Sequence, residues 1–288
     1  MAQTFQKNFK AIVSLLILII GSLIAQSSAS GTTFNNDRIV IWVFDIGQGD
    51  AIFIDAPDKQ VLIDGGPDGQ ILEKLSAVMP FWDHSIDLII NTHPHSDHVT
   101  GLVKVLERYD VAEVWDSGQE YGSDVFEYYQ ALKAGRENGV QAGKKVDLGL
   151  GAELEVMWPT FDLIDQRLPN VHNGNVVTLF TFGNTNMLIT GDFEDENELQ
   201  ILEDLPHIDV LKVGHHGSLT STSIELLNTI TPNYALISVG EGNDYGHPHP
   251  IIVDRLKRIG ALILRTDKDG DIRVLLDGGE PQVELFDL

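Results

Sequence analysis

"NTHPHSDHVTGL", residues 91–102, sets three histidines and an aspartate within six positions, directly after the apolar run "IDLII". A short β-branched run of that kind reads as a buried strand. "HVTGLVKVLERY" has helical apolar spacing, with Ser96 or Asp97 available as its N-cap. His93 and His95 therefore stand two apart where a strand ends in a loop, so their side chains can converge on one point. Asp97 and His98 stand where the chain turns into a helix. Neutral imidazoles and a carboxylate are the ligands that hold Zn²⁺ or a similar divalent ion at about 2.0–2.2 Å. Four such groups in six residues can serve two adjacent ions. The alternative, a solvated polar loop with incidental histidines, would crowd titratable groups at a strand end for no chemical purpose.

The surrounding sequence frames this loop as part of an alternating fold. Upstream, "RIVIWVF", "AIFID" and "QVLID" read as successive strands with "PDK" as the turn between the last two, and "ILEKLSAVM" as a helix. Downstream, "VAEVW" reads as a strand and "SDVFEYYQALKAGRENG" as a helix ending at Gly139. The second half repeats the alternation. Strands are expected in "AELEVMW", "VVTLFTF", "NMLIT", "IDVLKV", "NYALISV" and "ALILRT", and helices in "EDENELQILEDL", "STSIELLNTI" and "PIIVDRLKRIG". "KDGDIRVLLDGGEPQVELF" looks like closing hairpin structure. Nothing in residues 31–288 reads as a linker or repeat, so they form one α/β domain. Its strands are too many for one simple doubly wound sheet; two sheets with helices outside them suit the count.

Composition narrows the chemistry. The chain of 288 residues has no cysteine, which removes disulfides and thiolate metal sites and leaves stability to a conventional core. The formal charge is −24, although residues 1–30 carry two lysines and no acid. That charge argues for solubility and against a broad phosphate-binding surface, so any nucleic acid would have to be held by metal ions and a local basic patch. Lys7 and Lys10 precede the uncharged run "AIVSLLILIIGSLIA", and small polar "QSSAS" follows. Residues 1–30 are thus expected to be a secretory signal peptide cut near Ala29 or Ser30, placing the body in the periplasm or outside the cell. An uncleaved N-terminal anchor is the rival, and membrane contact is expected only in that case. Fifteen residues fall short of the roughly 20 that span a bilayer.

Most other histidines of the body also fall at strand ends: His172 before "VVTLFTF", His215 and His216 after "IDVLKV", His247 and His249 after "NYALISV". Asp192 follows "NMLIT" in the same way, and polar groups at the strand ends of one sheet edge build sites in α/β folds. His84 and His207 precede strands and read as surface residues. Together, HxHxDH at 93–98, Asp192 in "ITGD" and a later strand-end histidine resemble the metallo-β-lactamase superfamily. More narrowly, "FDIGQGDAIFI", "VLIDGG", "THPHSDHVTGL", "ITGD", "LKVGHHGS" and "YGHPHP", in that order, resemble the hydrolase domain of the ComEC family of DNA-uptake competence proteins. The motifs run over residues 44–273.

This resemblance implies a four-layer αββα sandwich with two metal ions at the sheet edge. It implies that His93, His95 and His172 hold the first ion, that Asp97, His98 and one histidine of "GHHGS" hold the second, and that Asp192 bridges them. Spacing does not decide between His215 and His216; the other is expected to hold a substrate oxygen or the bridging water. Asp64 is expected to brace the ligand loop, or else simply to end a strand with Gly65 and Gly66. Two departures stand out. Members of the ComEC family often carry Asp at the place of His95 and Asn near that of His172, so this donor set is closer to dinuclear hydrolases elsewhere in the superfamily. The multi-span channel of the competence proteins is absent from this sequence, so a role in DNA import does not carry over.

Weaker motifs leave alternatives open. Gly47 and Gly49 around Gln48 either let backbone approach the site or form a bulge, and Asp50 is a candidate to orient a ligand histidine. Ser218 is a candidate to hold an anionic oxygen at a helix start, or is only a cap. His247 is a candidate to contact phosphate or leaving group; its loop could equally only cap the next helix. "DKDGD" at 267–271 lacks the Gly and Glu spacing of an EF-hand and reads as a hairpin turn.

The expected reaction is hydrolysis by metal-bound hydroxide, with Asp97 and Asp192 holding the nucleophile, since two ions about 3.5–4 Å apart bring the pKa of a shared water towards 7. Zinc is favoured by the histidine-rich set, with manganese or iron as the other fits. The substrate expected from the resemblance is a phosphodiester, either DNA or a cell-envelope phosphodiester, with Lys212, Lys257, Arg258 and Arg265 as a local basic patch. No obligate protein partner is expected. A β-lactamase or other cyclic amide or ester hydrolase is the second enzymatic reading, and a non-catalytic metal-bound scaffold the third.

Overall fold

A computed structural model describes residues 38–288, except for the side chains of two residues in β6. The signal-peptide reading of residues 1–30 lies outside the described residues. Among the described residues no helix is long and apolar enough to cross a membrane.

Among the described residues, fifteen strands form two sheets. The first contains β1 (Ile39–Val43), β2 (Ile52–Asp55), β3 (Gln60–Ile63), β4 (Ser85–Ile90), β5 (Asp110–Asp116), β6 (Glu137–Gly139), β14 (Asp271–Leu276) and β15 (Gln282–Phe286), in the order β15-β14-β1-β2-β3-β4-β5-β6. The second contains β7 (Lys145–Gly149), β8 (Ala152–Trp158), β9 (Val177–Phe182), β10 (Thr185–Ile189), β11 (Val210–Lys212), β12 (Tyr234–Ile237) and β13 (Leu262–Arg265), in the order β13-β12-β11-β10-β9-β8-β7. Each sheet is antiparallel on one side and parallel on the other. In the first, β3, β4, β5 and β6 pair in parallel; in the second, β10, β11, β12 and β13 do. The parallel strands are joined through helices, as parallel crossovers require.

Three apolar layers account for the stacking. Inward-facing residues of both sheets, such as Ile41, Ile54 and Val61 against Leu154, Phe180 and Met187, form the central core. The outer face of the first sheet packs on helices α1 (Gln70–Val78), α2 (Ser96–Leu106) and α3 (Asp124–Lys133) through Ile71, Leu75, Leu102 and Phe126. The outer face of the second sheet packs on α5 (Ile224–Ile230) and α6 (Pro250–Arg258) through Leu226, Ile230, Ile252 and Leu256. Strands buried on both faces need not alternate in polarity, which is why "IDLII" is a continuous apolar run. The architecture is the expected αββα sandwich.

Local differences from the sequence reading have local causes. The helix begun at Asp124 ends at Lys133 rather than Gly139, and residues 137–139 instead pair with β5 as an edge strand. "EDENELQILEDL" forms only the short helix α4 (Asp195–Glu198) and a 3-10 turn at Leu202–Asp204. Acidic repulsion along that stretch and the use of Glu198 to bind the amides of Thr222 and Ser223 break its continuity. β7 has exposed alternate residues and escaped the apolar pattern. "DKDGD" is not a hairpin turn: residues 266–269 form a helical turn, α7 (Thr266–Asp269), held by Asp269 accepting from the Arg265 amide.

Candidate metal centre

Strand ends carry the chemistry to one place. Asn91, Thr92 and His93 prolong β4, and His95 is the N-cap of α2. Neither Ser96 nor Asp97 caps that helix, because the Asp97 carboxylate turns away from the helix amides towards the imidazoles, with Oδ2 3.4 Å from His216 Nε2 and 3.8 Å from His98 Nε2. His172 lies in a 3-10 turn before β9, Asp192 three residues after β10, and His215 and His216 in a turn after β11.

Asp192 sits between two groups of donors. Its Oδ2 faces His93 Nε2 at 3.6 Å, His215 Nε2 at 3.5 Å and His172 Nε2 at 4.0 Å. Its Oδ1 faces His98 Nε2 at 3.4 Å and His216 Nε2 at 3.5 Å. His95 Nδ1 completes the first group, 3.2 Å from His172 Nε2. One donor atom from each of His93, His95, His172 and Asp192 lies within 4.8 Å of the others, and the same holds for Asp97, His98 and His216. Donors around one tetrahedral ion at about 2.1 Å would stand about 3.4 Å apart. Moreover, His93 Nε2, His98 Nε2, His216 Nε2 and Asp192 Oδ1 are buried with no hydrogen-bond partner. Buried polar atoms without partners are costly, so a cluster of them aimed at one point fits a bound cation.

The electrostatics agree. Burial and the neighbouring imidazole of His98 push His93 well below the usual histidine range. Burial also opposes charge on His98 and His216, yet Asp192 with Asp64 and Asp97 holds His98 well above that range. For His216, Asp192, Asp50 and Asp97 hold it up to about 9. Asp192 is kept well below the carboxylate range despite its burial by His216, His98 and His93. The pocket thus carries concentrated negative potential that, without a metal, protons must answer.

A surrounding scaffold fixes these rings. Asp64 accepts from the Thr92 amide at 2.8 Å and the Thr92 hydroxyl at 2.6 Å, and its Oδ2 lies 2.7 Å from His98 Nδ1, so it does brace the ligand loop. His216 Nδ1 lies 3.0 Å from the Ser238 carbonyl, with Asp50 3.5 Å away. Glu194 Oε1 lies 3.2 Å from His172 Nδ1. Asp64, His215 and His216 all take left-handed backbone, at φ 57°, 47° and 53°. Such conformations in non-glycine residues cost free energy and gather where geometry serves a site. Gly49 serves the close approach expected of its motif: a Cβ there would lie 2.1 Å from the Asp97 carbonyl oxygen.

Other expectations change. The structure brings both His215 and His216 to the centre but in different surroundings. His216 is 2% exposed and grouped with Asp97 and His98, whereas His215 is 21% exposed and faces Thr220 and Glu194. Ser218 is not at a helix start; Ser223 caps α5, and the Ser218 hydroxyl is tied to Thr220. Lys212 is not part of a basic patch. It is wholly buried, 2.8 Å from Asp50 and donating to the Val213 carbonyl. Arg265 is paired with Asp267. Lys257 and Arg258 are exposed on α6. His247 does line the cleft of about 360 Å³ over the centre, with Gln48, Tyr121 and Tyr245, while His249 caps α6 through the Ile251 amide. Burial, with His215 and His216 nearby, lowers His247 to about 4. His84 and His207 are exposed, as expected.

Glu194, Thr92 and Ser238 were not foreseen. Glu194 follows Asp192 by two, and both carboxylates face His172 and His215, so the D-x-E spacing could have pointed to it. Ser238 contributes a backbone carbonyl, which leaves no trace in side-chain identity.

A family model described as "Metallo-beta-lactamase superfamily" matches residues 44–241. The chain belongs to this superfamily. Among curated relatives of this metallo-β-lactamase-fold chain, ComE operon protein 3 of Bacillus subtilis is 31% identical over 254 residues, 80% of this chain and 32% of the relative. Recombination protein 2 of Haemophilus influenzae is 31% identical over 265 residues, 90% of this chain and 31% of the relative. The chain therefore spans about a third of the length of these relatives. CmlA, a diiron β-hydroxylase from Streptomyces venezuelae, shares the fold at a TM-score of 0.54 and 16% identity, over 86% of this chain and 54% of CmlA. Family and donor clusters together make the protein a metal-dependent hydrolase of the superfamily.

Proposed function

We propose that the protein is a dinuclear phosphodiesterase of the periplasm or cell exterior, acting on DNA or a cell-envelope phosphodiester. The observation that carries this reading is the Asp192 carboxylate, whose two oxygens face two separate donor groups with buried, partnerless ring nitrogens. In this assignment His93, His95, His172 and Asp192 hold one ion, and Asp97, His98, His216 and Asp192 hold the other. Zinc is favoured by five imidazoles among seven donors, and iron or manganese suits the same atoms. Bound there, a pair of divalent ions would bring a water's pKa towards neutrality and offset charge on the substrate's oxygens.

The chain's own residues supply orientation. Asp97 and Asp192 offer carboxylate oxygens that accept from the attacking water and fix its direction. His215 is left to meet a substrate oxygen through Nε2, its other nitrogen held 3.2 Å from the Thr220 hydroxyl. Ser218 acts only through Thr220, as a positioning residue. His247, neutral at physiological pH, presents a ring nitrogen in the cleft wall and contacts phosphate or leaving group. The likeness to ComE operon protein 3 and Recombination protein 2 supports the choice of phosphodiester over amide.

The test assays purified protein with Zn²⁺ or Mn²⁺ on bis-p-nitrophenyl phosphate, single-stranded DNA and nitrocefin, alongside metal analysis of His93→Ala and Asp192→Ala. Phosphodiester cleavage with metal loss in both variants is expected. Nitrocefin turnover alone would turn the assignment to a β-lactamase. Full metal content with silence on every substrate would leave a metal-bound scaffold.

A further inference from the structure

A second cleft, of about 700 Å³, opens beside the His95 and His172 rings and is lined by Tyr121 and Arg167 among others. Its wall consists of two loops bound to each other. The Asp165 amide donates to the Gly118 carbonyl at 3.2 Å, the Glu120 amide to the Gln166 carbonyl at 2.8 Å, and the Gln119 side chain to the Val171 carbonyl at 3.2 Å. Asn170 anchors the far end by donating to Glu194 at 2.6 Å. The wall is therefore braced directly by the shell that holds His172.

Arg167 is exposed on this wall and has neither hydrogen bond nor ion pair among the described residues. Its guanidinium lies over Gly122, where a Cβ would stand 3.6 Å from Nη2, at ordinary van der Waals distance. Among the residues lining the two clefts it is the sole Lys or Arg, on a protein of formal charge −24. Tyr121 and His95 line both clefts and meet edge-on at 5.7 Å between centroids, so Arg167 lies in the cleft directly adjoining the one over the metal centre. A guanidinium free in a concave surface is suited to bind a phosphate through two parallel N–H donors.

We infer that Arg167 and Tyr121 form a subsite for a second phosphate of the substrate, next along a chain from the one that is cut. This inference rests on the phosphodiesterase reading above and makes its substrate a chain with repeating phosphates, whether a nucleic-acid strand or a polyol phosphate. Phosphate recognition belongs to Arg167; Tyr121 adds a flat face on which a base stacks.

The experiment compares a thymidine dinucleotide with its 5′-phosphorylated form, and a glycerophosphate dimer with its phosphorylated form. KM and equilibrium binding of phosphorothioate analogues are both measured. Wild type is expected to prefer the extra phosphate about ten- to hundredfold in KM, the effect of hydrogen bonds to a charged group. Arg167→Ala should reduce that preference to within about twofold, and Arg167→Lys should keep part of it. Tyr121→Leu should weaken the nucleotide pair more than the glycerol pair for a nucleic-acid strand, and both alike for a polyol phosphate. Turnover with no preference for the extra phosphate, or a preference unchanged in Arg167→Ala, overturns the subsite alone. Silence of wild type on every phosphodiester removes the phosphodiesterase reading and the subsite with it.

Discussion

The two donor groups around Asp192 differ in how they are held. On the Asp97 side, His98 and His216 are buried and each has its second nitrogen fixed from behind, by Asp64 and by the Ser238 carbonyl. On the His95 side, His95 and His215 are partly exposed and face the clefts. The first group is closed off by the partners behind its rings, whereas the second opens to solvent at His95 and His215, although His93 in it is as buried as His98. On the dinuclear reading proposed above, the former suits lasting retention of an ion and the latter exchange with the clefts.

Asp192 belongs to both sides, so its loss should be the most damaging change. Asp192→Ala is expected to lower kcat/KM by at least about a thousandfold and to reduce bound metal on both sides, as read by elemental analysis. A variant with half its metal would show that the sides load independently of the carboxylate. The contrast sharpens with His216→Ala against His95→Ala. The former should lose the deep ion and much thermal stability, whereas the latter should keep close to one ion per chain. Equal losses would erase the distinction. Asp64→Asn acts through His98 and through the Thr92 hydrogen bonds that brace the ligand loop, and should weaken metal affinity about ten- to hundredfold, with kcat at saturating metal far less affected.

The deep side also predicts a pH effect. In metal-free protein the His216 pKa is held up to about 9, above its unfolded value. The proton's contribution to stability is therefore complete below about 6.5 and lost as pH rises through about 9. Chelated protein should melt lower at pH 9 than at pH 6.5, and metal should remove this difference. A flat melting temperature across that window in chelated protein would count against the charged cluster. The smallest effect is expected of Ser218→Ala, under about threefold on kcat/KM, because its hydroxyl is spent on Thr220.

The HxHxDH loop was the most legible part of the site in sequence, and it serves both sides, whereas the choice of His216 over His215 was not legible. HxHxDH compresses four donors into six positions, and strand-to-helix reading alone brings them together. Most strands were legible because two-sided burial writes itself as apolar runs, and the αββα layering followed from their number. What escaped was set by distant partners. Lys212 reads as a cation but lies in an apolar strand, "IDVLKV", and is neutralised by Asp50 from the other sheet's first loop. Arg167 sits in a stretch without periodicity, and only the loop pairing at 118–122 gives it a direction. The Ser223 cap of α5 and the carbonyl of Ser238 depend on local backbone that residue identity does not encode.

Strands β14 and β15 come last in the chain, yet β14 hydrogen-bonds to β1 and β15 to β14, in the sheet whose other strands end at Gly139. The two half-shells are thereby stitched together by returning polypeptide as well as by the carboxylate they share. That stitching, with the continuous core between the sheets, opposes a bite that opens by swinging one half-shell away from the other. Whatever yielding the mouth needs to admit a substrate is expected of its lips, the loops that carry Tyr121, Arg167 and Tyr245.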